Sequence, residues 1–291
     1  PEDILKKYGA DILRIWVASS NYAEDLRIDY SILDQHAESY RKIRNTFRYL
    51  LGNLNDKFED IDLDKINLKK LPELEQFMLH KIYNLNLNFN KHFKDYDFHN
   101  LYKELLNFCT VDLSAFYFDI RKDTLYCDPI DSEKRRSTLL LLNIILNSLL
   151  KWFAPILSFT TEEIYQLVSK KKKSIHLEKF LDFPKKFENL KLNDKWNHLL
   201  KMRDICNLSI EEKRANKEIG SSLEATLKIK INKEDLKYLK EIDLAELCIT
   251  SSVKIIETDT KEIIVETIKA EGEKCPVCWK ISKDLCKRHN D

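Results

Sequence analysis

Apolar residues crowd most densely between Lys134 and Val168, where Leu139, Leu140, Leu141, Leu142, Ile144, Ile145, Leu146, Leu149, Leu150, Trp152 and Phe153 lead to Pro155. A run of about 20 apolar residues is long enough to span a bilayer. Asn143, Asn147 and Lys151 argue against a span, because steps of four put all three on one helix face and leave a single polar stripe. The pattern predicts the central helix of a soluble bundle. It should end where Pro155 removes a backbone donor and disfavours helical geometry at Ala154. A second helix is expected over 160–168, opened by a capping box between Thr160 and Glu163. Glu162 and Glu163 then read as first-turn charges and not as a catalytic acid pair.

The same periodicity marks the flanks. Ile4, Leu5, Tyr8, Ile12, Ile15 and Trp16 recur at helical spacing, so one helix is expected from Pro1 through Val17, with 19–28 as a connection. A long helix is expected over Asp29–Leu54, with Ile32, Leu33, Ile43, Phe47, Leu50 and Leu54 on its inner side. After a charged connection at 55–72 come helices over Leu74–Phe93 and Phe98–Phe118, and Asn193–Lys217 reads as one more. Composition then changes. Ala225–Ile231 alternates apolar with polar, and Leu247–Thr250, Val253–Glu257 and Ile263–Ile268 are short and β-branched, so strands are expected there. The predicted fold class is mainly α: an antiparallel helix bundle, then a small α/β domain, then a separate C-terminal segment.

Composition sharpens this picture. At 291 residues the chain exceeds the ~250 at which single cores stop growing, so more than one domain is expected. Only four glycines and six prolines are present, which leaves most of the backbone to long elements. Charged residues make up 33% of the chain while the net charge is +1, so a polyanion must be met by local basic faces. Arg41, Arg44 and Arg48 form one such ridge at steps of three and four, with Tyr40 and Tyr49 beside it. A solvated charged face and a nucleic-acid contact both stay open for it, as they do for the lysine run Lys170–Lys173.

Seven cysteines are present. Cys109, Cys127, Cys206 and Cys248 are scattered, and the odd count with no visible leader or anchor predicts a reducing cytosol. The other three cluster. Cys275 and Cys278 form C-x2-C, and after a seven-residue spacer Cys286 and His289 form C-x2-H. Two such knuckles bring three thiolates and one imidazole to the corners of a tetrahedron, which structural zinc prefers. A redox pair would need a thioredoxin-like βαβ setting that is missing here. With all four positions filled by protein there is no open place for hydrolysis, so the metal should pin a small knob presenting Trp279, Lys280, Lys287 and Arg288. An empty, degenerate site is the alternative.

Pro1-Glu2-Asp3-Ile4 with Tyr8-Gly9-Ala10-Asp11-Ile12-Leu13-Arg14-Ile15-Trp16 resembles the segment after the Lys-Met-Ser-Lys-Ser loop of bacterial isoleucyl-tRNA synthetases, class I enzymes of the Ile/Val/Leu subclass. Tyr40–Thr46, Phe116–Ile120 with Lys122-Asp123, Ala154–Thr160 and Ile219–Ala225 resemble landmarks of that family's anticodon-binding half. Cys275-Pro276-Val277-Cys278-Trp279 is similar to its zinc tail, the one feature not shared with valyl and leucyl synthetases. Two departures stand out: Val277 where the family usually has arginine, and His289 where it has a fourth cysteine. Histidine is an acceptable zinc ligand, so metal binding tolerates its change more easily than RNA contact tolerates the other.

The resemblance implies an organisation as well as a function. Residues 1–28 would be a stem-contact junction, 29–185 the helical anticodon-binding domain, 186–269 an α/β junction domain and 270–291 a zinc-binding tail. The implied partner is tRNA(Ile), its anticodon stem-loop met by Arg41, Arg44, Arg48, Tyr49, Trp279, Lys280 and Arg288. One structural Zn(2+) would sit on Cys275, Cys278, Cys286 and His289. The family's ATP-binding signatures, His-Ile-Gly-His and Lys-Met-Ser-Lys-Ser, do not occur in this sequence. Catalytic residues, ATP and Mg(2+) are therefore expected only in a catalytic domain outside it, and the chain is expected to be the non-catalytic, tRNA-holding piece of a monomeric cytoplasmic ligase. The equivalent part of a valine or leucine enzyme, and a non-enzymatic helical scaffold whose zinc knob binds protein, stay open.

Overall fold

A computed structural model describes residues 2–54, 58–169, 173–286 and 288–289; Pro1, Lys170–Lys172 and Lys287, singled out above, lie outside them. The chain divides into two compact units, Pro1–Asp119 with Ile130–Glu188, and Ile120–Pro129 with Asn189–Asp291. Most of the described residues are helical, and the largest sheet has three strands. None of the described helices is long and apolar enough to cross a membrane.

In the first unit, α1 (Glu2–Tyr8) and α2 (Ala10–Ser19) replace the single helix expected through Val17. Gly9 stands between them at φ +81°, a conformation that an L side chain resists, so the periodic pattern continues while the backbone turns. The chain then enters α3 (Tyr30–Leu54), where Asp29 caps the start by accepting the Ile32 amide at 2.8 Å. Leu33, Ile43, Phe47, Leu50 and Leu54 give α3 its buried stripe. Next come α4 (Glu73–Lys94) and α5 (Phe98–Asn107), the latter capped by Asp97. The helix expected to run to Phe118 does so, but as a π-helical stretch over Phe108–Phe118 that continues into α6 (Asp119–Cys127).

The apolar run becomes α7 (Glu133–Phe153), capped by Ser132 and followed, past the Pro155 corner, by α8 (Ser158–Val168). Trp152 is fully buried, 5.8 Å from Phe89, and its indole donates to Asn86 at 3.3 Å. The polar stripe of α7 does not face water. Asn143 and Asn147 are buried and donate to the Glu59 carbonyl at 3.1 and 3.3 Å, so the 58–72 connection covers the stripe and uses it. Glu75 is also fully buried, accepting from Tyr117 at 3.0 Å and Thr138 at 3.3 Å.

The capping box at Thr160 and Glu163 is not formed. The helix starts two residues earlier, its N-cap position is Leu157 with no side-chain bond, and the acceptor comes from far away in sequence. Asp11 on α2 takes the Phe159 amide at 3.3 Å, the Thr160 amide at 2.8 Å and the Thr160 hydroxyl at 2.6 Å. Three residues along the same helix, Arg14 donates to the carbonyls of Ile156 at 2.8 Å and Pro155 at 2.6 Å. Thus α2 satisfies both the amides that open α8 and the carbonyls left bare at the corner.

In the second unit, α9 (Leu190–Ala215) packs on a sheet of order β2-β1-β3 made by β1 (Ala225–Ile231), β2 (Ser252–Glu257) and β3 (Ile264–Lys269). β1 runs parallel to β2 and antiparallel to β3. Two short helices, α10 (Lys233–Leu236) and α11 (Leu244–Leu247), lie between β1 and β2. The strand expected at Leu247–Thr250 is instead the end of α11. Asp243 caps its start, Ile249 takes a left-handed turn at φ 55°, and the Thr250 amide reaches back to Ala245 at 2.9 Å. A separate hairpin, β4 (Glu273–Lys274) with β5 (Ile281–Ser282), carries Cys275 and Cys278 between its strands, and Cys286 follows it. Its tie to the sheet is Ser251, whose hydroxyl donates to the Leu223 carbonyl and accepts the Ile281 amide at 2.6 Å.

Candidate metal centre and nucleic-acid interface

The β4–β5 register brings the ends of the first knuckle together. Between the strands, the Cys275 amide donates to the Lys280 carbonyl at 2.9 Å and the Trp279 amide to the Cys275 carbonyl at 3.0 Å. The turn demands unusual backbone: Trp279 sits at φ 62°, and at Gly272 (φ 124°) any Cβ would strike the Ser282 carbonyl. Cys275 and Cys278 are thereby buried side by side, and Cys286 and His289 close on them. The four ligand atoms lie within 4.8 Å of one another.

These separations can be tested against coordination geometry. Tetrahedral bonds of about 2.3 Å to sulfur and 2.0–2.1 Å to nitrogen require edges of about 3.8 Å between sulfurs and about 3.6 Å between sulfur and nitrogen. Sγ of Cys278 lies 3.8 Å from Sγ of Cys286, and Nδ1 of His289 lies 3.6 and 3.4 Å from Sγ of Cys275 and Cys286. Three of the six edges of the quartet thus match a tetrahedral site, and all six lie within 4.8 Å. His289 is also in the right tautomer: its Nε2 is 3.0 Å from the Cys127 carbonyl, which can only accept, so Nε2 carries the proton and Nδ1 is free for the metal. Electrostatics favour the thiolates at two corners. The Cys278 amide is the main cause of holding the Cys275 thiol down to about 6, and the Arg288 amide lowers Cys286. Burial pushes Cys278 up to about 11, a cost that a bound cation removes.

Beside the knuckle lies a cavity of about 470 Å³, lined by Ile120, Tyr126, Cys127, Leu223, Ile249, Val277, Trp279 and Lys280 among others. Trp279 is 58% exposed, with the Lys274 ammonium 5.2 Å above its ring, and Lys280 is half-buried at the cavity. Arg288 lies against α6. Its Nε donates to Asp128 at 2.6 Å and its Nη1 to Asp123 at 2.5 Å. Burial opposes its charge, and the two carboxylates outweigh burial and hold the guanidinium well above its ordinary value. The guanidinium is thus held between two carboxylates of its own unit, with its side chain 30% exposed.

The ridge of α3 belongs to the first unit. Arg41, Arg44 and Arg48 are all exposed on one face, so the spacing argument holds for their placement. Arg41 pairs with Glu38 one turn back. Arg44 donates to the Tyr40 hydroxyl at 3.0 Å, which is itself 2.9 Å from the Thr160 hydroxyl, so the ridge is joined to Asp11 and the α7–α8 corner. Tyr49 is half-buried and stacked on Phe118 at 4.2 Å, leaving at most one face for a base. Sequence reading missed Asp123, Asp128, the Cys127 carbonyl and Tyr126. Only the resemblance pointed near them, through Lys122-Asp123, because nothing in local spacing links α6 to residues so far along the chain.

Comparison with known proteins adds what the geometry lacks. The family profile described as the anticodon-binding domain of tRNA ligase matches residues 75–231. An isoleucine–tRNA ligase of Pelagibacter ubique is 69% identical over 291 residues, which is all of this chain and 32% of that protein. The isoleucine–tRNA ligases of Agrobacterium fabrum and Petrotoga mobilis are each 39% identical, over 98% and 97% of this chain and 30% and 31% of their own lengths. The chain thus spans about a third of the curated relatives it matches.

Proposed function

Because the chain belongs to the family of anticodon-binding domains of tRNA ligases, we propose that it is the tRNA-holding part of an isoleucine–tRNA ligase, the enzyme that joins isoleucine to tRNA(Ile) with ATP. The observation that carries this reading is the alignment of every residue of the chain with one region of isoleucine–tRNA ligases. ATP, Mg(2+) and amino-acid activation belong to the remainder of such a protein, working as a monomer in the cytoplasm. Within this part, 1–28 forms the stem-contact junction, 29–185 an antiparallel bundle of the class I synthetase type, 186–269 the α/β junction domain and 270–291 the metal-binding tail.

The tail holds one structural Zn(2+) on Cys275, Cys278, Cys286 and His289, which is the donor set and size the quartet offers. The ion supplies no chemistry beyond tying the two knuckles together. Arg41, Arg44 and Arg48 meet phosphates of the anticodon stem-loop, Trp279 and the free side of Tyr49 stack on unpaired bases, and Lys280 serves the same strand. Stacking is worth about 1–3 kcal/mol per base, and phosphate pairing adds a salt-sensitive part.

The test is a filter-binding titration of the full-length protein with tRNA(Ile) transcripts at several salt concentrations. Affinity should fall as salt rises, and Arg44→Ala should weaken binding to all sequences alike while reducing the salt slope by about one. Exchanging the anticodon for that of valine or leucine tRNA should weaken binding further. Salt-independent binding, or equal affinity for all three anticodons, would count against the proposal.

A further inference from the structure

We infer that Arg288 is a clamp: it seats the metal knuckle on α6 and so fixes the wall that Val277 and Trp279 give to the neighbouring cavity. Three acceptors on or just past α6 meet the last knuckle. Asp123 and Cys127 are four residues apart and so share one helix face, and Asp128 follows directly. Arg288 spans both acids with separate nitrogens and adds a third bond from Nη2 to the Asp123 carbonyl at 3.4 Å, while His289 beside it binds the Cys127 carbonyl at 3.0 Å. On the other side of the knuckle, the Cys127 thiol reaches the Val277 carbonyl at 3.7 Å.

Charge and shape assign this role. One guanidinium faces two carboxylates, of which Asp128 is only 12% exposed at its side chain and Asp123 25%. A phosphate approaching Arg288 would therefore compete with two carboxylates already bonded to its guanidinium. The planar fork of arginine is what allows two carboxylates to be held in fixed directions, which an ammonium cannot reproduce. The cavity is walled by Ile120 and Tyr126 from α6 and by Val277 and Trp279 from the knuckle, so its width depends on the distance the clamp sets. Metal and clamp are consecutive in the chain, at Cys286, Arg288 and His289, so the ion shapes the knuckle and Arg288 places it.

The consequence for RNA rests on the proposed function; the clamp itself does not. The experiment uses the full-length, zinc-loaded protein with Arg288→Ala, Arg288→Lys and Asp128→Asn. Each variant should keep one metal ion per chain, and amides of 120–127 and 276–282 should exchange faster together. Affinity for tRNA should drop several-fold with an unchanged salt slope. Asp128→Asn discriminates by sign: removing an acid beside RNA would tighten binding if Arg288 met phosphate, and should weaken it if Arg288 is a clamp. It also carries the test if Arg288→Ala loses its metal. Unchanged amide exchange in Asp128→Asn, or a slope reduced by about one in Arg288→Ala, would overturn the inference. If the parent protein bound no tRNA, the proposed function would fail while the exchange measurement still decided the clamp.

Discussion

Helix α7 and the terminal knuckle are of similar length and are held by opposite means. Of the 21 residues of α7, fourteen are buried, whereas among the described residues after Ala270 only Cys275 and Cys278 are. Each fully buried large apolar side chain contributes about 1.5–3 kcal/mol, so α7 is over-determined by many small contributions. Among its described residues the knuckle has almost none of these; it offers four grouped Cys and His side chains, a two-pair hairpin and the bonds of Arg288, and on the proposed reading a metal ion joins the four. A region held by burial should fail gradually as contacts are removed, and one held by coordination should fail at once.

The largest effect that can break this comparison is metal removal. Apparent binding energies of structural zinc are about 10–16 kcal/mol at neutral pH, so a strong chelator or Cys278→Ser should abolish amide protection between Glu273 and Cys286 while α7 stays protected. Protection that survived in the knuckle would show that burial, and not the ion, holds it. Next comes Trp152→Ala, expected to cost about 3–5 kcal/mol by its cavity and to leave Asn86 without its donor, read from the denaturant midpoint. Metal stoichiometry in that variant should not move.

A smaller loss, about 0.5–2 kcal/mol, is expected for Asp11→Ala, which strips α8 of its acceptor and should lower the melting temperature without touching the knuckle. The smallest effect comes from pH. His80 is fully buried, and burial holds its imidazole below the ordinary value, so the folded unit keeps it neutral. Its contribution is complete above the unfolded value of about 6.5 and is lost as pH falls below that toward the folded value. Melting curves of the zinc-loaded protein should show the helical unit weakening over that window, and a flat profile would remove His80 from the account.

What could be seen in the sequence follows the same division. The extents of α3, α4 and α7 were legible to within a residue or so, because a buried stripe forces a period of 3.6 onto the residues themselves. The grouping of Cys275, Cys278, Cys286 and His289 was legible because knuckle spacing is a local constraint. What stayed hidden depends on partners distant in sequence. Thr160 looked like a cap because Glu163 is near, yet its partner is Asp11, 149 residues away. Asn143 and Asn147 were legible as one polar stripe, but the Glu59 carbonyl that covers them leaves no trace in their own spacing. The π-helical stretch at Phe108–Phe118 is apolar on nearly every side, so no single face in the sequence marked its wider winding. Ile249 and Thr250 look like strand residues by type, and the helical turn capped by Asp243 overrode that preference.

The excursion of Ile120–Pro129 into the second unit also sets an order of events during synthesis. Asp128 leaves the ribosome 160 residues before Arg288, a delay of about 8–32 s at the ~5–20 residues per second of translation. Throughout that interval Asp123 and Asp128 lack Arg288, and the rest of their unit is still being made. A nascent chain that ends before Arg288 carries both carboxylates without the guanidinium that joins them in the finished fold.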